Sequence, residues 1–578
     1  MLLFVGLLLS SQLALGYTSS RMYSAVDGVV DLVAVAKPVR SVYNFPEESP
    51  KANIWAYHTC RKVYDDQMDC PSTNFWPFGT HIQLERGDVL KLRLVNRLPD
   101  RHTNIHYHGM VVDAGYNKDF TVFGDYSYVT SYNSQVETNV TEPEFPIFLK
   151  RDFVDYSFPI PKKHPYGLFW FHGHNPDHAG ALQDEGNSDA LNFGLSGSMS
   201  IGSVKNFVSH LDGVPQYTFV LRNTYFNANR TLQAGGAPNF CDNTTPLPGY
   251  CAGVGRSAGS RLYYTVGQQV FPELPVGKEG AVWRIVHAMS NANAILSLVH
   301  KNDHNKTIPF QVLWVDGASL LADPGVLTQA FFIMPSSRII VYIPPQDDDV
   351  DAVLLSSGPT HGTDPASPFP NVLLASVKFS NGKYGVANNR HPVARSSGDV
   401  EKAIEEPPRS DISCDGLPPL AEGHRRRIIY KVTGISFMLG YEEVGLDGLV
   451  VPGTARPPET FNPHNTTVCA AYGENEIWEL FNDSDLDHNF HIHQTKFKVL
   501  NNPDIRPGFI MPDEFVDNAP LRAHSTTFVE IPFLVTGDYM YHCHIMFHSD
   551  HGMMGRVRVA KYAEGKGDGG GSGGGHHH

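Results

Sequence analysis

Histidines occur in this chain as four closely spaced pairs, each with one residue between its members. The pairs are His106 and His108 in IHYHG, His172 and His174 in WFHGH, His491 and His493 in HNFHIHQ, and His542 and His544 in YHCHI. In a β-strand, residues i and i+2 point to the same face, so each pair can present two imidazoles to one metal or to neighbouring metals. A single pair is more often two ordinary hydrogen-bonded histidines, but four pairs beside apolar and aromatic residues favour a metal cluster. Eight imidazoles suffice for about three metals of the kinds that imidazole binds, such as copper, zinc, iron and nickel.

The fourth pair encloses a cysteine, Cys543, which faces the opposite side from His542 and His544 if YHCHI is extended. The thiolate would then bind a different metal from the one that its neighbours bind. A thiolate, two imidazoles and a weak axial methionine form the ligand set of a blue-copper electron-transfer site.

The other ligands of such a site are also present in the sequence. His548 and Met553 follow Cys543 at suitable positions. His488 can supply the second imidazole, because its odd spacing from His491 places it on the opposite face of the strand from that pair. The cysteine would therefore join an electron-accepting copper to the histidine cluster.

Short β-strands are predicted for the segments that must position these residues. Apolar and polar residues alternate in VLKLRLVNRL (89–98), YTFVLRNTYF (217–226), RIIVYIPP (338–345) and RVRVAKY (556–562). The 52 glycines and 41 prolines supply many turn residues, and long amphipathic helices are scarce. This pattern predicts an all-β protein built from sandwiches or barrels.

A chain of 578 residues is long enough for about three domains. We expect a first domain over residues 17–203, a second over 204–385 and a third over 421–562. The polar, proline-rich stretch 386–420 is predicted to be a linker. The last residues, 563–578, have the composition of a flexible tail with an affinity tag and are excluded from the fold prediction.

The N-terminus and the net charge indicate an exported protein that does not bind nucleic acid. The formal net charge of −15 is unlike the basic surface of a nucleic-acid-binding protein. The segment MLLFVGLLLSSQLALG is apolar, is too short to span a bilayer and ends in a small-x-small site. We therefore predict a signal peptide over residues 1–16, with secretion of the mature chain. No other apolar run reaches the length of a membrane helix, so no membrane span is expected.

Glycosylation and disulfide bonds are expected in the same compartment. N-x-S/T sequons occur at Asn139, Asn229, Asn243, Asn305, Asn465 and Asn482. Six cysteines besides Cys543 are enough for three disulfides. The natural local pairs are Cys60 with Cys70 and Cys241 with Cys251, and Cys414 and Cys469 remain as a third pair.

The histidine and cysteine motifs together resemble the copper motifs of the multicopper oxidases, the family of laccases, ascorbate oxidases and ferroxidases. Their forms are HxHG, WxHxH, HxxHxH and HCHxxxHxxxxM, in that order along the chain. Motif order, ligand identity and chain length are similar to those of a three-domain member. The resemblance implies three cupredoxin-like Greek-key β-domains, with the metal cluster between the first and the third.

The resemblance also implies the ligands of four copper ions. The type 1 copper would be bound by Cys543, His488 and His548, with Met553 as axial ligand. The type 2 copper would be bound by His106 and His491. The type 3 pair would be bound by His108, His172, His174, His493, His542 and His544. The implied activity is four one-electron oxidations of a small reducing substrate, coupled to the reduction of O₂ to water, with electrons passing from type 1 copper through Cys543.

Reduction of O₂ also consumes protons, which the family often delivers through acidic residues near the cluster. Asp550, two residues after His548, and Asp113, shortly after HYHG, are the candidates. The chain departs from the family after WFHGH, because NPDHAGALQDEGNSDALNF precedes the GLSG that begins at residue 194. We interpret this segment as an insertion near the cluster entrance.

The substrate class stays open on the sequence alone. A laccase-like oxidase of phenols or aromatic amines is the first hypothesis, and a metallo-oxidase of Fe²⁺ or Cu⁺ is the second. The carboxylates of Asp483, Asp485 and Asp487 could hold a hard cation beside His488, or they could form a solvated turn. The third hypothesis, a non-catalytic copper-binding protein, predicts a missing ligand, and none of the expected ligands is missing.

Overall fold

The structure of the protein is a computed structural model. It describes residues 17–40, 53–99, 101–131, 147–175, 186–206, 208–227, 229, 231–232, 245–252, 260–320, 325–358, 370–380, 412–414, 416–501 and 508–562. The predicted signal peptide, the tail and most of the predicted linker lie outside these residues.

The first pair of sheets is built from residues 21–201. Its strands are β1 (Arg21–Ser24), β2 (Val29–Arg40), β3 (Asn53–Arg61), β4 (Thr80–Leu84), β5 (Val89–Asn96), β6 (His106–His108), β7 (Ala114–Tyr116), β8 (Val122–Gly124), β9 (Val129–Ser131), β10 (Ile147–Leu149), β11 (Phe153–Pro159), β12 (Gly167–His172) and β13 (Ser196–Ile201). One sheet has the order β1-β4-β13-β12-β6 and the other β3-β2-β5-β11-β8-β7, while β9 pairs with β10. Alternation places Leu90, Leu92 and Leu94 of β5 in the core, as the sequence predicts.

The second pair of sheets is built from residues 216–379. Its strands are β14 (Gln216–Phe226), β15 (Leu247–Pro248), β16 (Tyr250–Ala252), β17 (Arg261–Val266), β18 (Glu273–Val276), β19 (Ala281–His287), β20 (Ala294–His300), β21 (Asp303–Thr307), β22 (Phe310–Val315), β23 (Ala318–Ser319), β24 (Val326–Thr328), β25 (Ala330–Ile333), β26 (Arg338–Ile343), β27 (Asp351–Ser357) and β28 (Val372–Phe379). The main orders are β16-β17-β14-β19-β26-β22-β23 and β15-β28-β27-β20-β21.

The third pair of sheets is built from residues 425–560. Its strands are β29 (Arg425–Thr433), β30 (Ser436–Val444), β31 (Arg456–Glu459), β32 (Val468–Ala471), β33 (Asn475–Asp483), β34 (His488–Ile492), β35 (Lys498–Val499), β36 (Asn518–Leu521), β37 (Thr526–Pro532), β38 (Gly537–His542) and β39 (Met554–Ala560). The orders are β31-β30-β29-β33-β37-β35 and β32-β39-β38-β34-β36. The all-β prediction is therefore confirmed.

Helices are short in the described part of the chain. They are α1 (Gly186–Phe193), α2 (Met546–Asp550) and the 3₁₀ turns Ser72–Asn74, Val204–Asn206 and Ser209–Leu211. The first helix lies in the segment interpreted as an insertion. None of the described helices has the length and apolar character needed to cross a membrane.

One apolar core joins the first and third domains and also includes second-domain residues such as Trp314, while most of the second domain's apolar residues form a separate core. Trp170 of β12 and Trp478 of β33 are fully buried in the joint core, whereas Trp283 of β19 belongs to the second. Because large apolar side chains each contribute about 1.5–3 kcal/mol when fully buried, the joint core fixes the two domains that carry the histidine motifs against each other.

Two of the predicted disulfides are present. Cys60 is bonded to Cys70, and Cys414 is bonded to Cys469. Cys251 is also disulfide-bonded, and Cys241, its predicted partner, lies outside the described residues. Cys543 is a buried thiol outside these disulfides.

Candidate copper centres

Strand pairing places four of the motif histidines on shared sheet faces. In the first domain β6 and β12 are antiparallel, and His106 lies directly opposite His172. In the third domain β34 and β38 are antiparallel, and His491 lies directly opposite His542. Directly opposite residues project to the same face, so each sheet presents its histidines together.

The histidines of the two domains meet at the interface between them. The ring of His106 stacks on that of His493 with centroids 3.7 Å apart, and the ring of His108 stacks on that of His491 at 3.8 Å. All eight motif histidines are buried. The cluster therefore exists only when the first and third domains are packed together.

The hydrogen bonds of His106 and His491 show that this site fits a metal. His106 donates from Nδ1 to Asp125 Oδ2 at 2.8 Å, and His491 donates from Nδ1 to the Asp517 carbonyl at 2.6 Å. Both Nε2 atoms then carry lone pairs, yet they face each other at 3.3 Å. Two nitrogens bound to one metal at about 2.0–2.1 Å with tetrahedral angles lie about 3.3 Å apart, so a cation between them relieves the repulsion.

A second group of histidines surrounds His542. Its Nε2 lies 3.2 Å from Nε2 of His174 and 3.3 Å from Nε2 of His493. The Nδ1–H of His542 donates to the Cys543 carbonyl at 3.0 Å, which leaves Nε2 as the ligand atom. These three nitrogens are suitably placed to bind one metal.

A third group consists of His108, His172 and His544, each of which has a ring nitrogen within 4.8 Å of the others. Nε2 of His172 and both ring nitrogens of His544 are buried with no hydrogen-bond partner among the described residues. Buried polar atoms are nearly always satisfied, so these nitrogens also fit a bound metal.

Burial keeps the cluster imidazoles neutral, which is the form that binds metal. It lowers the pKa of His172 to about 3, and the carbonyl of Gly173 partly offsets this effect. It lowers the pKa of His542 to about 4. Both imidazoles are therefore ready to coordinate at neutral pH.

The thiolate centre lies on the other side of Cys543. Its Sγ is 3.4 Å from Nδ1 of His548 and 3.8 Å from Nδ1 of His488, and the two Nδ1 atoms are 2.9 Å apart. His488 donates from Nε2 to Ser484 Oγ at 2.9 Å, which leaves Nδ1 for a metal. A sulfur and two imidazole nitrogens thus converge on one point.

The expectation that YHCHI is extended throughout is only partly right. Strand β38 ends at His542, and the chain then turns into α2. The turn brings His548 back beside Cys543. Asn489 stabilises this turn, because the Asn489 Oδ1 accepts hydrogen bonds from the backbone N–H groups of His544 at 2.6 Å and Ile545 at 3.2 Å.

Met553 is joined to Cys543 through the backbone. Cys543 N–H donates to the Met553 carbonyl at 3.1 Å, and the Met553 side chain is fully buried. Met554 lies directly opposite His542 across β38 and β39, so it projects to the cluster side. The pairing therefore supports Met553 over Met554 as the axial ligand.

We expect Met553→Leu to raise the type 1 redox potential. The thioether stabilises Cu(II), and leucine removes this donor at similar volume, so the loss of stability should stay below about 1.5 kcal/mol. Redox titration of the blue band measures the potential. Met554→Leu is the control, and a raised potential in that variant alone would identify Met554 as the ligand.

We also expect copper removal to lower the melting temperature. A ligand that binds only the folded state stabilises it by about 4 kcal/mol at a free concentration one thousand times its Kd. Calorimetry of the copper-loaded and chelator-treated protein measures the difference. Equal melting temperatures would contradict the presence of copper in these buried sites.

The two carboxylates proposed for proton delivery differ in their surroundings. Asp113 is exposed on the surface. Asp550 is buried on α2, where its Oδ2 accepts from the backbone N–H of Ser188 at 2.8 Å and so caps α1. Delivery of protons by either residue stays a prediction.

The carboxylates that contact cluster histidines are Asp125 and Asp517, which sequence reasoning missed. Asp125 Oδ2 accepts from His106, and burial raises the pKa of Asp125 to about 7. Asp517 Oδ1 lies 3.4 Å from Nε2 of His108. Neither aspartate is adjacent to a histidine motif in the sequence, so spacing alone gave no signal for them.

Comparison with known proteins agrees with this geometry. The multicopper oxidase family profile matches residues 447–562, which include the thiolate centre. A multicopper oxidase of Staphylococcus aureus is 37% identical over 105 residues, covering 18% of this chain and 23% of that protein. The chain thus matches about a quarter of the length of that relative. A laccase of Bacillus stratosphericus is 24% identical over 574 residues, covering 89% of this chain and 97% of the laccase.

Solved structures share the fold over nearly the whole chain. The McoA multicopper oxidase of Aquifex aeolicus superposes with a TM-score of 0.62 at 16% identity, covering 95% of this chain and 99% of that one. A multicopper oxidase of Campylobacter jejuni, described as a metallo-oxidase, gives a TM-score of 0.59 at 17% identity, covering 95% and 96%. The cupredoxin-like fold is thereby confirmed, and residues 447–562 match the multicopper oxidase family.

Proposed function

We propose that this protein is a copper oxidase that couples four one-electron oxidations of a small reducing substrate to the reduction of O₂ to water. The observation that carries the proposal is the connection of the two centres through His542-Cys543-His544. Cys543 belongs to the thiolate centre, and its two neighbours belong to the histidine cluster. A site that accepts single electrons is thus joined covalently to a site with room for several metals.

The proposal assigns each centre its copper. The type 1 copper takes His488, Cys543, His548 and axial Met553. The type 2 copper takes His106 and His491. The type 3 pair takes one group of His108, His172 and His544 and a second of His174, His493 and His542. Bound copper supplies one-electron redox chemistry, while the protein fixes the ligand tautomers, keeps the imidazoles neutral and excludes bulk water.

We propose phenols or aromatic amines as the substrate class. Support comes from the aromatic surroundings of His548. Phe437 stacks on His548 with ring centroids 4.3 Å apart. Phe547 and His551, both partly exposed, lie against each other at 4.1 Å. A planar substrate placed beside this group gains apolar and ring contacts next to the electron-accepting centre.

A metallo-oxidase acting on Fe²⁺ or Cu⁺ is the second candidate, because the chain shares its fold with the Campylobacter jejuni metallo-oxidase. The carboxylates before His488 give it little support, since each is engaged separately. Their partners are Lys431 for Asp483, His524 for Asp485 and the Ala523 backbone N–H for Asp487. Carboxylates that converge on no common point make a poor site for a hard cation.

Oxygen consumption by the copper-loaded protein tests the proposal. We expect O₂ uptake with a phenol such as 2,6-dimethoxyphenol and slower uptake with Fe²⁺. Faster turnover of Fe²⁺ would favour the second candidate. Absence of uptake with both substrates, despite full copper loading, would identify a non-catalytic copper-binding protein.

We further propose that the chain is exported and glycosylated at exposed sequons. Asn229, Asn305 and Asn465 are exposed. Asn482 is fully buried, and its Nδ2 donates to three backbone carbonyls, so this sequon should stay unmodified in the folded protein. Mass spectrometry of tryptic peptides from secreted protein measures occupancy, and a glycan at Asn482 would contradict this burial.

A further inference from the structure

A buried group of four charged side chains lies between the second and third domains, and we call it the interdomain ion cluster. Asp316 and Arg338 come from the second domain, and Lys496 and Asp517 come from the third. Arg338 donates from Nη1 and Nη2 to the two carboxylate oxygens of Asp517 at 2.6 Å each. Lys496 Nζ lies 3.0 Å from Asp517 Oδ2, and Arg338 Nη1 lies 3.2 Å from Asp316 Oδ1. None of the four residues is more than 5% exposed.

Stability alone does not explain the interdomain ion cluster. Removing charges from water costs several kcal/mol per ion, and well-packed apolar side chains in place of a buried ion pair are often neutral or stabilising. The advantage of charges over apolar residues here must therefore lie in geometry. A bidentate arginine fixes the plane and position of a carboxylate in a way that apolar packing does not.

The carboxylate that Arg338 fixes belongs to the residue that orients His491. The Asp517 carbonyl accepts from Nδ1 of His491 at 2.6 Å. Asn518, the next residue, lies directly opposite His491 in the pairing of β34 and β36. The carboxylate also lies 3.4 Å from His108. Arg338 therefore contacts, through Asp517, both the proposed type 2 ligand His491 and His108, whose ring stacks on that of His491.

Two glycines make room for this arrangement. Gly109, directly after the first histidine pair, has φ +81°, and a Cβ there would lie 2.6 Å from both Arg338 Nη2 and Asp517 Oδ2. Gly317 has φ +108°, and a Cβ there would overlap Lys496 Nζ. Both backbones approach the ions more closely than any side chain would allow.

We propose that Arg338 is a positioning residue for the type 2 copper, so that the second domain, which supplies no copper ligand in the assignment above, holds His491 in place through Asp517. This inference rests on the proposed function. It predicts that weakening the arginine fork loosens the type 2 site while the type 1 site, on the other face of β34, is unchanged.

The experiment compares Arg338→Lys and Arg338→Met with Arg426→Lys as a matched control. Arg426 makes a similarly buried bidentate pair with Glu476, at 2.6 and 2.8 Å, in the sheet of β29, which contains none of the strands that carry the motif histidines. Lysine keeps the charge in both pairs and removes the fork. Copper bound per chain is measured during titration with a copper chelator, and the type 2 signal is recorded by electron paramagnetic resonance.

We expect Arg338→Lys to bind type 2 copper about 10- to 100-fold more weakly, with a changed type 2 hyperfine splitting and an unchanged blue band. Arg338→Met should weaken type 2 copper binding further. If Arg338→Met fails to fold, the result for Arg338→Lys tests the proposal. Arg426→Lys should keep the type 2 affinity and signal of the parent, even if its melting temperature falls.

Two results would overturn the proposal. One is a parent-like type 2 copper in Arg338→Lys, and the other is an equal loss of type 1 and type 2 copper, which would indicate general unfolding. Because the measurement is copper binding, its outcome is independent of turnover. A parent protein that binds four coppers but consumes no O₂ would contradict the proposed function. The copper titration would still test the role of Arg338 in that case.

Discussion

Cys543→Ser should abolish the blue colour and all substrate oxidation. The intense blue band of a type 1 site arises from the copper–thiolate bond, and Cys543 is the sulfur that lies beside both His488 and His548. A serine oxygen is too poor a ligand to replace it. We expect the copper content to fall by one ion per chain, because the eight cluster histidines are unchanged.

Absorption spectra and copper analysis of the purified variant measure both effects. The cluster should retain its type 2 signal, which shows that the fold is intact. A variant that stays blue, or one that still oxidises phenols at the parent rate, would contradict the assignment of Cys543 to the entry site.

His491→Ala should stop O₂ reduction while leaving the blue site able to accept electrons. His491 and His488 lie on opposite faces of β34, so the loss of one imidazole need not disturb the other centre. Under air, a phenol should bleach the blue band of this variant, and the band should not return. His106→Ala should have the same effect on the blue band, because Nε2 of His106 faces Nε2 of His491.

The matched control is His81→Ala. His81 is buried in β4 and bonded to Ser198 Oγ at 2.9 Å, but it belongs to none of the metal-binding groups. This variant should lose some stability and still restore its blue band in air. Normal reoxidation in His491→Ala would show that His491 is not needed for O₂ reduction.

The grouping of the histidines follows from strand periodicity and could be predicted from the sequence. Pairs at i and i+2 face one side, and the odd spacing of His488 from His491 places it on the other. In the structure the six predicted type 3 ligands form two groups of three. His106 and His491 also group with His108, so the division between type 2 and type 3 ligands stays a prediction. Strand segments such as residues 217–226 were predicted to within one residue, because alternation with one buried face is a local signal.

The residues that hold the histidines could not be predicted in the same way. Asp125 lies 19 residues after His106 and Asp517 lies 26 residues after His491, and each is outside the strand that carries its histidine. Contacts of this kind have no fixed sequence spacing. The prediction of Asp113 and Asp550 rests on their closeness to the histidine motifs along the chain. In the structure Asp550 caps α1, a helix whose packing against α2 no sequence pattern revealed.

The ratio of electrons taken from the substrate to O₂ consumed distinguishes complete reduction of O₂ to water from partial reduction to peroxide. The copper-loaded protein is given a one-electron phenolic donor in a closed oxygen electrode, and hydrogen peroxide is assayed at the end. We expect four one-electron oxidations of the phenol for each O₂ consumed, with no peroxide, because Cys543 delivers single electrons to a cluster that reduces O₂ completely. A ratio of two with stoichiometric peroxide, or oxidation without O₂ uptake, would contradict it.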